Sequence, residues 1–274
     1  MPTADRHARV HATTVIGRRV LAPGVVALTL EAPELAAATR PGQYLMAIPP
    51  AAQAAATALA IYEAEGKFAS ILFFITGRRT SELSELREGA RLDVLGPLGN
   101  GFDCSGEARD VAIVAGGVGI ASVLLCAQAF IANGARVRLF YGARTRELLV
   151  DAQRFEDAGC ELILTTDDGS MGRPGFVTDA LASSRKPEAI LACGPSPMLR
   201  SVARVAEALG VRAQLALEET FGCGVGGCWG CVVPLIARST QAPSFPPAGQ
   251  GGSDVVYARI CKEGPVFWAD ELRW

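Results

Sequence analysis

The chain has 274 residues, of which 50% are hydrophobic and 20% charged, and its net charge is −2. This length exceeds what one hydrophobic core usually organises, so two or three domains are expected. The composition and near-neutral charge argue against disorder and against electrostatic binding to nucleic acid or a membrane. Because the sequence lacks a long apolar span and an apolar signal core, we predict a cytoplasmic protein.

The first predicted domain, residues 1–104, consists of short strand-like runs broken by proline and glycine. Several short strands at this spacing predict a small antiparallel β-barrel. The predicted strands are 12–15, 25–30, 44–48, 70–75 and 91–95. Between them lie two alanine-rich segments, 34–39 and 51–58, and one short predicted helix, 82–86.

The second predicted domain, residues 105–217, has a different pattern. Its strand-like runs are apolar throughout and alternate with helical segments, which predicts a doubly wound α/β domain with a parallel sheet covered on both faces. The predicted strands are 111–115, 137–141, 161–165, 189–193 and 213–217, with a helix over 120–132.

Two motifs in this domain predict a dinucleotide site. Gly116, Gly117 and Gly119 follow the first parallel strand and open a helix, where backbone amides can receive a diphosphate. A glycine turn after a strand also serves tight packing, so this motif alone leaves both interpretations open. Cys193, Gly194 and Pro195 end a later strand, at the sheet edge where ligands bind in open α/β folds.

The third predicted unit, residues 218–274, carries four cysteines in a C-x4-C-x2-C…C arrangement, the ligand spacing of a plant-type 2Fe-2S cluster. These metal-ligand candidates are Cys223, Cys228, Cys231 and Cys261. A structural zinc site is the alternative, but zinc usually takes two short C-x2-C or C/H pairs and only one is present. We expect the segment 239–253, rich in proline, glycine, serine and glutamine, to be an exposed loop.

These motifs belong to an ordered set that spans nearly the whole chain. The set comprises 41–44, 77–80, 95–102, 115–119, 141–144, 166–170, 193–198, the cysteine loop and 261–267. In this order they resemble the ferredoxin-NADP reductase superfamily, and within it the electron-transfer subunits of NAD-linked dihydroorotate dehydrogenases. The resemblance implies an FAD-binding barrel, an NAD(H)-binding domain and a C-terminal 2Fe-2S module.

One stretch departs from that family. The family has an Arg-Pro-x-Ser motif on a barrel strand, and its arginine and serine contact the flavin. This chain has Thr57-Ala58-Leu59-Ala60 there, so the cation of the first position and the serine hydroxyl of the fourth are absent. We therefore expect weaker FAD binding unless another arginine substitutes. The resemblance places the remaining flavin contacts at Tyr62, Gly77, Arg78, Arg79 and Thr80; an exposed turn with two solvated arginines is the alternative for the last four.

The leading hypothesis is an NADH-dependent oxidoreductase subunit in which FAD converts the two-electron donor into one-electron transfers through the cluster. No Ser-His or Cys-His pairing for acid or base catalysis is available, because the two histidines, His7 and His11, lie at the N-terminal edge. The resemblance implies an FMN-containing dihydroorotate dehydrogenase catalytic subunit as partner in a hetero-oligomer. The alternatives are a flavin-free 2Fe-2S interaction subunit and an electron-transfer subunit for a different oxidoreductase.

Overall fold

A computed structural model describes residues 8–49, 56–236, 239–241 and 254–274. In these residues the chain forms a closed six-stranded barrel, a seven-stranded sheet with helices on both faces, and a two-stranded ribbon. The barrel and the parallel sheet confirm the predicted antiparallel barrel and doubly wound parallel sheet. Within the described ranges, no helix combines the length and apolarity needed to span a membrane.

The barrel strands are all antiparallel and follow the spatial order β1-β2-β5-β4-β3-β6. They are β1 (Arg9–Ala22), β2 (Val25–Glu31), β3 (Tyr44–Ile48), β4 (Thr57–Glu65), β5 (Phe68–Phe74) and β6 (Arg91–Leu98), with the helices α1 (Pro33–Ala38) and α2 (Arg78–Ser84). No strand was predicted over β4 from its pattern, because alanine and glutamate disfavour strands. Pairing with β3 on one side and β5 on the other holds it in the barrel.

The large sheet has the order β10-β9-β8-β7-β11-β12-β15. Its elements are β7 (Asp110–Gly116), α3 (Leu124–Ala132), β8 (Arg136–Ala143), α4 (Ala152–Asp157), β9 (Glu161–Thr166), β10 (Arg173–Pro174), α5 (Val177–Ala182), β11 (Ala189–Cys193), α6 (Ser196–Leu209) and β12 (Ala213–Ala216). The helix predicted from residue 120 instead starts as a 3-10 turn, Gly117–Ser122. The strand order reverses between β7 and β11, the place where open α/β sheets bind ligands.

The C-terminal region is attached to the edge of this sheet. β13 (Val232–Ile236) and β14 (Val255–Arg259) form the ribbon, and β15 (Val266–Trp268) pairs antiparallel with β12. Most of the predicted loop 239–253 lies outside the described residues. Its first residue, Ser239, is buried and its hydroxyl bonds to the Glu271 carboxylate.

Candidate functional site

A cavity of about 560 Å3 opens at the carboxyl ends of β7, β8 and β11. We call it the sheet-edge cavity. Gly116, Gly117 and Pro195, three of the predicted dinucleotide residues, line it. Further along its wall, Arg144 is the only cation among the described lining residues. The remaining lining residues are Phe74, Val118, Gly142, Ala143, Leu148, Asp167, Phe176, Val177, Thr178, Pro197, Met198, Ser201 and Glu218.

Gly119 and Gly194 are not among the residues that line this cavity; they bring two loops into backbone contact. A Cβ atom on Gly119 would lie 2.2 Å from the carbonyl oxygen of Cys193. Gly194 has φ +156°, and a Cβ there would lie 3.0 Å from the amide nitrogen of Gly116. Gly119 therefore serves tight packing, and so does Gly116, where a Cβ would lie 2.6 Å from Met198 Sδ, while Gly116 and Gly117 also line the cavity.

A second cavity of about 280 Å3 lies between the barrel and the sheet, and we call it the barrel cavity. Thr57, Ala58, Leu59 and Ala60, the stretch that departs from the family motif, form part of its wall. Tyr44, Thr80 and Cys193 line it too. Phe74, Val118 and Glu218 line both cavities, so the two spaces adjoin at these side chains.

Cys193 and Glu218 meet at this junction. The Cys193 thiol lies 3.5 Å from Oε1 of Glu218. Burial raises the pKa of the Glu218 carboxyl, and burial followed by the proximity of Glu218 raises the pKa of Cys193. Both shifts favour neutral, protonated side chains at the place where the cavities adjoin.

A third cavity of about 380 Å3 continues from the barrel cavity toward α2, and we call it the α2 cavity. Among the described residues that line it and the barrel cavity, Arg78 and Arg79 are the only cations. Arg78 is held by Glu82 at 2.9 Å, whereas Arg79 donates from Nη1 to the Ala56 carbonyl at 2.9 Å.

Two threonines at the α2 cavity differ in their hydrogen bonding. The Thr80 hydroxyl accepts hydrogen bonds from the amides of Thr76 and Gly77, at 2.9 and 3.2 Å. Thr57 Oγ1 is buried and has no partner among the described residues. A buried hydroxyl without a partner is costly, so a ligand group in the cavity is the natural partner for Thr57.

Tyr62, which the resemblance associates with the flavin, lies elsewhere. Its ring is fully buried, and its hydroxyl donates to Oδ2 of Asp151 at 2.9 Å, across the contact between barrel and sheet. Tyr62 lines none of the three cavities.

The four motif cysteines are brought together as two pairs. In the first pair the Cys228 amide donates to Cys223 Sγ at 3.4 Å, and in the second the Cys261 amide donates to Cys231 Sγ at 3.4 Å. The proximity of the Cys261 side chain lowers the pKa of Cys231 to about 6, and the proximity of Cys231 raises the pKa of Cys261. Among the residues that the structure describes, no three metal-binding side chains converge on a single point.

Backbone amides point at these sulfurs, and an arginine ties the loop together. The amides of Gly227 and Cys228 donate to Cys223 Sγ at 3.2 and 3.4 Å. Arg259 donates to the Gly226 carbonyl at 2.8 Å, while its guanidinium lies 4.5 Å from the centroid of the Trp229 ring. The sequence did not identify Arg259 or Glu218 as functional residues, because neither belongs to a motif that indicates its contact.

Comparison with known proteins shows which families this chain is similar to. Residues 113–204 match the family described as the oxidoreductase NAD-binding domain. The electron transfer subunit of dihydroorotate dehydrogenase B (NAD(+)) from Caldanaerobacter subterraneus subsp. tengcongensis is 34% identical, over 85% of this chain and 86% of its own length. The subunit of the same name from Enterococcus faecalis is 31% identical, over 94% of this chain and 96% of its own length.

Solved structures give the same picture of the fold. The NADH-dependent reduced ferredoxin-NADP oxidoreductase, studied for flavin-based electron bifurcation, superposes with a TM-score of 0.80 at 26% identity. The match covers 96% of this chain and 90% of that one. The ferredoxin reductase of carbazole 1,9a-dioxygenase has a TM-score of 0.65 at 24% identity, over 74% of this chain and 67% of that one.

Proposed function

The chain belongs to the family of dihydroorotate dehydrogenase B electron transfer subunits, and from this premise we propose that it passes electrons from NADH through FAD and a 2Fe-2S cluster to a catalytic partner. The observation that carries the proposal is the order of the sites in space. The sheet-edge cavity adjoins the barrel cavity, and the Tyr44 side chain connects the barrel cavity to the cysteine loop. A dinucleotide, a flavin and a cluster would thus lie next to one another.

The barrel and α2 cavities fit FAD. Thr57 to Ala60 and Tyr44 would surround the ring system, and the orphaned Thr57 hydroxyl would gain a partner. Arg79 would bind the diphosphate, since Arg78 is already paired with Glu82. When bound, FAD accepts a hydride and releases single electrons, which links nicotinamide to one-electron carriers. The altered motif still lines a cavity, and this favours FAD binding over a flavin-free interaction subunit.

The sheet-edge cavity would bind NADH. Gly116 and Gly117 would allow the diphosphate to approach the backbone, and Arg144 would supply a positive charge in the same cavity. Cys193 and Glu218 would stand where the nicotinamide meets the flavin. Burial raises the pKa of both groups, which favours their neutral forms at this junction.

The cysteine pairs fit a 2Fe-2S cluster better than zinc. Such a cluster distributes four thiolates over two irons, two to each, and amide–sulfur contacts join Cys223 with Cys228 and Cys231 with Cys261. A zinc ion would require the four sulfurs to converge on one point. The amides of Gly227 and Cys228 would stabilise the negative charge of the ligated sulfurs.

We further propose that residues 1–104, 105–217 and 218–274 act as flavin, nucleotide and cluster domains of a cytoplasmic hetero-oligomer. The partner would be a dihydroorotate dehydrogenase catalytic subunit, as the names of the relatives suggest. The family resemblance implies that this subunit contains FMN and produces orotate. An acceptor from another oxidoreductase is the alternative, because the chain also superposes well on a ferredoxin-NADP oxidoreductase.

The test is a visible spectrum of the anaerobically purified protein, with analysis of released flavin, iron and sulfide. We expect one FAD, two irons and two sulfides per chain, the stoichiometry of one flavin and one 2Fe-2S cluster. NADH should bleach the flavin band, and the loaded protein should reduce an added FMN catalytic subunit. Iron-sulfur absorbance without flavin would instead support the interaction subunit, and failure to reduce that partner would support a different acceptor.

A further inference from the structure

The Tyr44 side chain separates the barrel cavity from the cysteine loop. Tyr44 begins β3, and its side chain is only 5% exposed. Its ring lines the cavity and packs edge-on against Phe221, with the ring centroids 5.1 Å apart. These two rings therefore form part of the cavity lining next to the cysteine loop.

The Tyr44 hydroxyl contacts both halves of the cysteine set. Its oxygen lies 2.8 Å from the carbonyl oxygen of Gly224 and 2.8 Å from that of Cys261. Gly224 follows Cys223, a member of the first pair, and Cys261 belongs to the second. Because a phenol has one proton, the two carbonyls share it, and a single group ties the backbone of both pairs to the barrel.

The Tyr44 hydroxyl also directs the positive end of its dipole at the cysteine loop. It donates to the carbonyl of Cys261 itself and to that of Gly224, which follows Cys223. A donor aimed at the backbone of metal-ligand residues tunes those ligands and favours negative charge on them.

The rest of this contact is apolar and close. Met46 projects from the same face of β3 as Tyr44, and a Cβ on Gly224 would lie 2.5 Å from its sulfur. Tyr44, Met46, Phe221, Cys231 and Cys261 belong to one buried cluster. A buried tyrosine hydroxyl needs a partner, and this one has its partners only when the loop is seated on β3.

We propose that Tyr44 is a positioning residue that holds both cysteine pairs against the wall of the barrel cavity and stabilises negative charge on their sulfurs. The inference rests on the proposed function, because it assumes that the cysteines hold a 2Fe-2S cluster. On this inference, Tyr44 of the barrel influences the potential and the stability of that cluster.

The test compares Tyr44→Phe with Tyr62→Phe in the cluster-loaded protein. Each variant loses one buried phenol hydroxyl, but the Tyr62 hydroxyl bonds to Asp151, remote from the cysteine loop. For Tyr44→Phe we expect a lower cluster midpoint potential in an EPR-monitored titration, because a donor that stabilises negative charge is lost. We also expect a chelator to remove iron roughly 2 to 10 times faster, the effect of one hydrogen bond. The midpoint potential and the rate of iron loss of the Tyr62→Phe cluster should be unchanged.

The inference would be overturned if Tyr44→Phe left both the midpoint potential and the rate of iron loss unchanged. It would also be overturned if Tyr62→Phe changed them as much as Tyr44→Phe. If Tyr44→Phe does not fold, 3-fluorotyrosine incorporated at position 44 gives a second test, since its hydroxyl is a stronger donor and should raise the potential. A potential that stays the same or falls would overturn the inference. A parent protein that holds no 2Fe-2S cluster after reconstitution would overturn the proposed function and this inference together.

Discussion

Arg79 donates a hydrogen bond from Nη1 to the carbonyl oxygen of Ala56, at 2.9 Å, and this contact holds its guanidinium beside the first residue of β4. That residue is Thr57, where the related proteins are expected to carry an arginine. A positive charge carried by α2 therefore lies beside the start of the strand that lacks the expected arginine. Arg78, by contrast, is 77% exposed and paired with Glu82.

Arg79→Ala should weaken FAD binding far more than Arg78→Ala. A charged hydrogen bond to phosphate contributes about 1.5 to 3 kcal/mol, so we expect a roughly 10- to 100-fold higher dissociation constant for Arg79→Ala. Flavin fluorescence titration of the apoprotein measures it. Arg78→Ala is the matched control and should change the constant by less than about threefold, because exposed charges contribute little. Equal losses in the two variants would contradict the assignment to Arg79.

Restoring the family motif offers a rescue experiment. In the Arg79→Ala background, Thr57→Arg together with Ala60→Ser should recover FAD affinity by about 1 to 3 kcal/mol, because a charge and a hydroxyl return to the cavity wall. The same titration measures the recovery. If neither the parent nor the restored protein binds FAD, the barrel has lost its flavin function and the interaction-subunit alternative applies.

Arg144→Ala should weaken NADH binding, because Arg144 is the only cation among the described residues of the sheet-edge cavity. An exposed charged contact is worth ~1 kcal/mol at most, so the dissociation constant should rise up to about 5-fold. Isothermal titration calorimetry with NADH and NADPH would measure both cofactors. Arg146→Ala, which removes an exposed arginine outside that cavity, should leave both constants unchanged. Identical constants for Arg144→Ala would place the dinucleotide elsewhere.

Local pattern was enough to predict β3 and β11 residue for residue, because each is an apolar run bounded by turn residues. The same reasoning missed β4, whose alanines pack in the barrel only because both neighbouring strands pair with it. Strand formation there is decided by tertiary pairing and not by propensity.

The same distinction between local pattern and long-range contact applies to the candidate site. The cysteine spacing and the glycine turn are local, so the sequence displays them directly. Tyr44 and its two carbonyl partners are 180 and 217 residues apart, and no local pattern signals such a contact. The Arg79 contact is hidden for a related reason, since the sequence does not show that α2 folds back over the start of β4.

Gly119→Ala should destabilise the fold. A Cβ at this position would lie 2.2 Å from the Cys193 carbonyl oxygen, so the loops after β7 and β11 must separate. Such overpacking costs about 1 to 3 kcal/mol in the free energy of unfolding, which urea denaturation measures. Gly106→Ala is the control, because no heavy atom lies within 4 Å of its added Cβ. A stable Gly119→Ala variant with weaker NADH binding would instead assign this glycine to the diphosphate.

Cys228→Ala should abolish the 2Fe-2S absorbance while leaving FAD and NADH binding intact. Cys228 is the exposed member of its pair, so its removal costs little packing but leaves one iron with a single protein thiolate. Iron, sulfide and zinc analysis, together with the visible spectrum, measures the outcome. Cys104→Ala removes a thiol outside the motif and should retain the full cluster. Full iron and sulfide in Cys228→Ala would reject this ligand set, and stoichiometric zinc in the parent protein would show that the paired sulfurs close around one ion after all.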